Sequence, residues 1–301
     1  MAFRVTDASS SARFAAQVAT SRQRIATAQE QIASGKRINR PSDDPSGAGI
    51  VVRIRTSQAE IEKFERNAGL AQDTLLAGDG ALESFELTLD RARSLLTQGA
   101  SDSTIATARQ TIAVEIDSLR TQTLSLANRL YGDQYIFGGT RQETAPYDSG
   151  GVPAATPTAQ QAIQIDPDGT TVAVGVTAET VFANSDGTIF DTFTNAAAAL
   201  RGTGDPVADR ATLLASLDHL SALADQAQVA RSQIGAGLRR IETVTGELQQ
   251  RSLALAGTAD RVEAADFVES ATELTESQRA FEAILQTKAV TGRRSLIDLL
   301  G

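Results

Sequence analysis

No cysteine and no tryptophan occur in the 301 residues, and there is one histidine and one methionine. Without thiols the chain has neither a disulfide framework nor a thiolate metal site, and a cysteine–histidine pair is excluded. A serine–histidine pair would depend wholly on His219, which lies between Leu217 and Leu220 beside an apolar stripe and reads as a solvated helix residue. Aromatics are 4% of a chain that is 41% hydrophobic. Compact cores lean on large rings, whereas long helical seams fill with Ala, Leu and Ile. Lys+Arg number 28 against 37 Asp+Glu, a net charge of −9 with no basic block. That balance argues against nucleic-acid binding, which needs a concentrated positive face. No run reaches the length of a membrane span, and Met1–Asp7 lacks the apolar core of a cleaved secretion signal. By these rules alone the chain reads as cytoplasmic.

The remaining chemical motifs are thin. Gly35-Lys36 lacks the glycine spacing and the following Ser/Thr of a phosphate loop. Asp43 and Asp44 flank two prolines where turn-making and capping explain them better than paired catalysis. Asp166 and Asp168 are half a calcium loop with nothing to complete it. No catalytic residue, metal or cofactor is assigned, and the chain reads as a structural protein rather than an enzyme.

What is present is periodicity. Counting alternately four and three from Leu213 gives Leu217, Leu220, Ala224, Ala227, Arg231, Ile234, Leu238, Ile241, Thr245, Leu248, Ser252 and Leu255, a heptad seam broken only by Arg231, Thr245 and Ser252. At about 1.5 Å per residue this helix predicts roughly 65 Å of length, so it needs long partners. Phe14, Val18, Ile25 and Ile32 mark a first helix ending at Gly35, with Lys36 and Arg37 at its negative end. Asp44 and Pro45 open a second helix seamed by Ile50, Ile54, Ile61, Phe64, Leu75, Leu82, Phe85, Leu89 and Leu96, with Gly78 and Gly80 as a soft spot. A third spans about Ser103–Leu130.

At Tyr131-Gly132 the character changes. Four of the seven prolines fall between Gly138 and Gly169, and two alternating runs, Ala162–Ile165 and Thr171–Val176, flank Asp166-Pro167-Asp168-Gly169 as a hairpin. A short helix from about Thr188 to Leu200 follows, and Asp205 with Pro206 caps the long axis helix. Beyond Gly257 a last helix is expected to open near Asp260, with Glu263 completing a capping box. Its seam is Phe267, Ala271, Leu274, Gln278, Phe281, Leu285 and Lys288. Gly235, Gly237 and Gly246 on the axis helix serve either close helix approach or local softness. The predicted class is mainly α: long antiparallel coiled-coil helices from both chain halves, with a small β-rich insert.

Gln31–Asn39 followed by Pro41-Ser42-Asp43-Asp44-Pro45 resembles the N-terminal signature of bacterial flagellins and flagellin-like axial proteins, and its Pro-Ser-Asp-Asp-Pro form is similar to the hook-associated protein 3 family in particular. Ala127-Asn128, Tyr135-Ile136-Phe137-Gly138-Gly139-Thr140 and Glu143–Tyr147 resemble that family's entry into its outer domain. Asp186–Asp191 resembles the exit, and Ala265-Asp266-Phe267 through Gln278-Arg279-Ala280-Phe281 the terminal helix.

The resemblance implies terminal helices (1–40 and 258–301) forming an inner assembly domain, a helical rod (41–137 and 203–257) and a small outer domain (138–202). It implies the junction ring between hook and filament, with templating of filament growth. The partners it implies are hook-associated protein 1, flagellin, further copies of the chain and an export chaperone, with no nucleic acid and no membrane insertion. It also replaces the cytoplasmic reading with an extracellular one, reached through the flagellar type III channel without a cleaved signal. A filament flagellin is the nearest alternative; a cytoplasmic coiled-coil scaffold and an enzyme stand further off. The expected assembly residues are Phe14, Val18, Ile25 and Ile32, then Arg37, Asn39, Asp43 and Asp44 of the connecting segment, then Phe267, Leu274, Phe281 and Leu285. The two terminal stripes are expected to order fully only when neighbouring subunits meet them.

Overall fold

The computed structural model describes residues 2–101, 104–154 and 158–300. Side chains before 9, of residue 10 and from 290 on lie outside the description. Helices dominate: α1 (Ala2–Ser34), α2 (Pro45–Gly99), α3 (Ala106–Ala127), α4 (Ala178–Phe182), α5 (Ile189–Arg201), α6 (Pro206–Glu263) and α7 (Phe267–Leu300). Three two-residue to four-residue antiparallel hairpins complete the described chain: β1 (Leu130–Tyr131) with β2 (Gln134–Tyr135), β3 (Gln161–Gln164) with β4 (Thr171–Val174), and β5 (Ala183–Asn184) with β6 (Gly187–Thr188). Two compact units result, residues 1–59 with 251–301, and residues 60–250.

Capping chemistry sets most helix starts. Asp44 Oδ1 accepts from Gly47 N at 2.9 Å, and Asp205 Oδ1 from Val207 N and Ala208 N at 3.0 and 3.1 Å, each just before a proline that cannot donate. Thr188 and Asp191 form a reciprocal capping box at α5. Gly78 and Gly80 do not interrupt α2, which runs unbroken for 55 residues. The expected helix break at Gly257 is also absent. The 58-residue α6 continues to Glu263, and Asp266 caps α7 by accepting from Val268 N and Glu269 N. Glu263 therefore caps nothing; its carboxylate is taken by cations instead.

In residues 60–250 the core runs along α2 through Leu75, Leu82, Phe85, Leu89 and Leu96, all fully buried. The α6 seam keeps its seven-residue beat: Leu213, Leu220, Ala227, Ile234, Ile241 and Leu248 are buried. Its companions are placed otherwise than the sequence count predicted. Ser216, Leu223, Ala230 and Val244, three residues after Leu213, Leu220, Ala227 and Ile241, are buried, whereas Leu217, Ala224, Arg231, Leu238 and Thr245 are half-buried. Positions three and four along a helix are near neighbours. Ser216 and Ala230 took the buried place over Leu217 and Arg231, whereas at 223 and 224 the leucine is the buried one.

Arg231 bridges two carboxylates of α2, its Nε 2.9 Å from Asp79 Oδ1 and its Nη1 2.8 Å from Glu86 Oε2. The hydrogen bonds to Asp79 and then Glu86 raise its pKa still further. Gly237 has a packing reason, since a Cβ there would lie 3.2 Å from Leu75 Cδ1 and 3.5 Å from Val172 Cγ1. Gly246 has none, because nothing lies within 4 Å of such a Cβ. Gly246→Ala is therefore expected to stabilise the chain by about 0.5–1 kcal/mol through helix propensity alone. A urea midpoint that falls in this variant would overturn that account.

The inserted segment is joined to the same core by rings. Phe182 of α4 meets Phe85 at 4.7 Å, Phe137 at 5.2 Å and Tyr147 at 6.2 Å, and Tyr147 meets Phe190 of α5 at 4.8 Å, all edge-on. Burial among these rings pushes the Tyr147 phenol well above its ordinary pKa. Helix α5 then packs along α3.

His219 is a correction. It is not solvated but buried, 8% exposed. Its Nε2 donates to Asn184 Oδ1 at 2.7 Å, an oxygen that Asp186 N also addresses, and its Nδ1 bonds the Thr192 hydroxyl. The sequence count placed it on a flank because a neighbouring leucine was taken for the seam. Burial lowers its pKa from 6.5, against the opposing pull of Asp186 and Asp191. The unfolded chain therefore takes up the proton first, so the contribution is fully present above about pH 6.5 and lost as pH falls through the lower folded value. It is the single histidine, so urea midpoints between pH 7.5 and 5.5 should fall in the native chain and stay flatter in His219→Gln.

Candidate assembly interface

Within residues 1–59 and 251–301, α1 and α7 pair side by side. Lys288 Nζ sits 5.4 Å from the Phe14 ring centre, Ser21 Oγ donates to Ser277 O at 3.2 Å, and the Arg22 guanidinium lies 5.5 Å from the Phe281 ring. Rising numbers on one helix meet falling numbers on the other, so the pair is antiparallel. Its most buried residues are small: Ala28 at 2% exposure, Ser270 and Ser277 at 5% and Ser21 at 6%. Small side chains let helix backbones approach, but they remove little apolar surface from water.

The expected apolar residues divide around that contact. Phe14, Val18, Ile25 and Ile32 on α1 are half-buried, as are Leu274 and Phe281 on α7. Phe267 is 66% exposed and Leu285 44% exposed, with Val268 at 73% beside them. A seam counted from Phe267 thus leaves the α1 contact at both ends. Its phase was set by the largest residues, while the helices chose serine.

Between α1 and α2 the connecting segment folds on itself. Gly35, with φ +68, carries the chain out of α1 in a left-handed conformation that suits glycine. Asp43 Oδ2 accepts from Asn39 N and Arg40 N at 3.1 and 2.8 Å, and the Asn39 amide donates to Lys36 O at 2.9 Å. Arg37 Nη2 reaches Asp44 Oδ2 and Val262 O, both at 3.1 Å. The Gly47 amide, and then the Arg37 guanidinium, hold the Asp44 carboxyl below its ordinary pKa. So Arg37, Asn39, Asp43 and Asp44 form one hydrogen-bonded turn that sets the path of the chain. Ile38 is buried against Gly47, where any Cβ would lie 2.5 Å from Ile38 Cδ1.

The sequence reading missed Glu263, in which two cations meet. Lys36 Nζ lies 2.7 Å and Arg55 Nη2 2.6 Å from its two oxygens. Proximity of Glu263 to residues 36 and 55 is a long-range fact that no local pattern announces. Ser21, Ser270 and Ser277 were also missed, although the seven-residue spacings of Ser21 to Ala28 and of Ser270 to Ser277 could have found them.

Residues 6–142 match the bacterial flagellin N-terminal helical region. Flagellar hook-associated protein 3 of Escherichia coli (strain K12) is 27% identical over 245 residues, covering 74% of this chain and 76% of its own length. A flagellin of Listeria monocytogenes serovar 1/2a is also 27% identical, over 254 residues, covering 82% of this chain and 81% of its own. The fold is shared with the crystal structure of flagellar hook-associated protein 3 from Legionella pneumophila, with a TM-score of 0.63 at 18% identity over 70% of this chain and 98% of that one.

Proposed function

We propose that this chain is a flagellin-like axial protein of the bacterial flagellum and the structural subunit joining hook to filament. The observation that carries the reading is the fold shared with hook-associated protein 3 across nearly the whole of that chain. In this reading residues 1–40 and 258–301 build an inner assembly domain, 41–137 and 203–257 a helical rod, and 138–202 the outer domain. The chain meets hook-associated protein 1 on one side and flagellin on the other, closes a ring with its own copies, and templates filament growth. It leaves the cell through the flagellar type III channel, kept by an export chaperone until then. It is a structural protein and not an enzyme; its one histidine is engaged by Thr192 and Asn184.

Assembly uses the apolar residues that α1 and α7 leave partly open. A small serine-lined contact is a weak internal core, so the pair reaches full order when neighbouring helices cover Phe267 and Leu285. Phe267→Ser with Leu285→Ser is expected to leave the unfolding free energy measured in urea within about 0.5 kcal/mol of native and to abolish incorporation into flagella. Normal flagella from that variant would remove these residues from the interface. Strong amide protection of residues 267–288 in the isolated monomer would remove the ordering step.

A second reading, filament flagellin, is favoured by the Listeria match, which covers slightly more of the chain. A deletion strain separates them. Bare hooks with abundant flagellin in the medium support the junction; bare hooks with no such protein in the medium mean that this chain is the filament subunit. Normal filaments would overturn both.

A further inference from the structure

Both chain halves are cut at the same level. The helical ladder stops between α1 and α2 over residues 35–44 and between α6 and α7 over residues 264–266. The two cuts lie side by side. Arg37 N donates to Glu263 O at 2.6 Å, Ala265 N donates to Gly35 O at 3.0 Å, and Lys36 pairs antiparallel with Ala264. An intact helix bends sharply only by losing hydrogen bonds of its own ladder. A pair of helices whose ladders are already cut together can turn there as one body.

Besides the two backbone bonds at the cut and the Arg37 guanidinium on Val262 O, the charged tie across it is the Glu263 carboxylate. The Glu263 side chain is 10% exposed, while Lys36 and Arg55, which hold it, are 46% and 61% exposed. Lys36 belongs to the segment that would move, and Arg55 lies on α2, which would not. Glu263 ends α6, so its pair with Lys36 crosses the cut, while its pair with Arg55 joins α6 to α2 on one side and holds the carboxylate in place for Lys36. Beyond the cut, α1 and α7 are joined by contacts of their own, from Ser21–Ser277 to Phe14–Lys288. Release at Glu263 would leave that pair whole.

We propose that Glu263 is the latch of a joint at which the α1–α7 pair turns as a unit against the adjoining ends of α2 and α6. With Lys36 and Arg55 bound, the joint holds one orientation; with the carboxylate neutralised or screened, it samples others. Such a joint would let copies in one assembly present their ends at slightly different angles without repacking a helix interface. The device is a property of the isolated chain, whatever its station in the flagellum.

The absence of native cysteine makes the test direct. Spin labels at Leu253→Cys and Thr275→Cys read across the joint, and labels at Gln23→Cys and Thr275→Cys read within the α1–α7 pair. Pulsed electron–electron distances are then compared in the full-length chain, in Glu263→Gln, and in Lys36→Gln with Arg55→Gln. The native chain at low salt should give one narrow distance across the joint. Both variants, and the native chain at 1 M salt where the screening length is about 3 Å, should raise the alternative distances about tenfold or more, while the distance within the pair stays fixed. An unchanged distance across the joint in Glu263→Gln would make it a weld. Equal breadth in the native chain would mean that nothing latches it, and a lost distance within the pair would mean local unfolding; each of these overturns the proposal.

Discussion

Phe182→Ala should remove about 3–5 kcal/mol of stability, the range for deleting a buried phenylalanine. Against a typical total of about 5–15 kcal/mol this is a large fraction. The expectation rests on who the neighbours are. Phe182 is fully buried and touches Phe85 on α2, Phe137 after β2, and Tyr147 in the following loop. Those three rings come from separate elements, each anchored elsewhere, so the cavity left by the ring cannot close by one small shift. Phe182 itself stands on the five-residue α4, of which it is the largest buried side chain beside Ala178 and Val181. Urea unfolding followed by far-ultraviolet circular dichroism measures the effect, and Phe182→Leu, which fills part of the volume, should cost less than half as much. A loss under about 1 kcal/mol for the alanine variant, within the range of ordinary surface changes, would mean that the ring cluster does not hold the insert to α2.

Gly151→Ala is expected to cost about 2–5 kcal/mol by a different route, adding rather than removing an atom. Its φ of +82 is one that a side chain tolerates poorly, at about 1–2 kcal/mol. The added Cβ would also lie 2.7 Å from both Cβ and Cγ of Phe190, a fully buried ring. Crowding of this kind costs about 1–3 kcal/mol. A double-mutant cycle isolates the share of the ring. In a Phe190→Ala background the contact with Cγ is gone while that with Cβ remains, so the glycine substitution should cost less than in the native chain but more than the backbone share alone. If the cost is the same in both backgrounds, the approach to the Phe190 ring contributes nothing. Gly246→Ala supplies the opposite sign with the same chemical change, because its added methyl meets nothing.

Much of this fold follows from local rules, and the failures share a cause. The turn at Asp166–Gly169, the caps at Asp44 and Asp205 and the helix end at Gly35 were legible because a few adjacent residues settle each of them. The seven-residue beat of α6 was legible because Leu213, Ile234 and Leu248 recur without a slip. The companion stripe was not, since Leu217 looks more hydrophobic than the buried Ser216, while Leu223 is buried beside a half-buried Ala224. Apolar size alone does not say which of two adjacent positions faces the partner helix. On α7 the contact with α1 runs through Ser270 and Ser277 beside the Phe267 stripe, and His219 is buried where counting put it on a flank. Glu263 escaped because its partners are more than 200 positions away in sequence. The four connecting residues were legible as a group, but their mutual hydrogen bonds were not.

Arg231 bears on a difficulty built into the repeating seam. Leu213, Leu220, Ala227, Ile234, Ile241 and Leu248 present nearly the same apolar surface every seven residues. Hydrophobic burial alone therefore discriminates weakly between α6 in place and α6 displaced by one repeat along α2. Charge is not so forgiving. Moved one repeat in one direction, Arg231 would face Glu86 and Arg93 in place of Asp79 and Glu86. Moved the other way, it would face Gln72 and Asp79. Either displacement forfeits a carboxylate, and one of them sets cation against cation. A polar residue at a seam position lowers stability but specifies alignment. The single arginine in the stripe removes the translational degeneracy of an otherwise periodic surface, so that two long helices have one lowest-energy alignment.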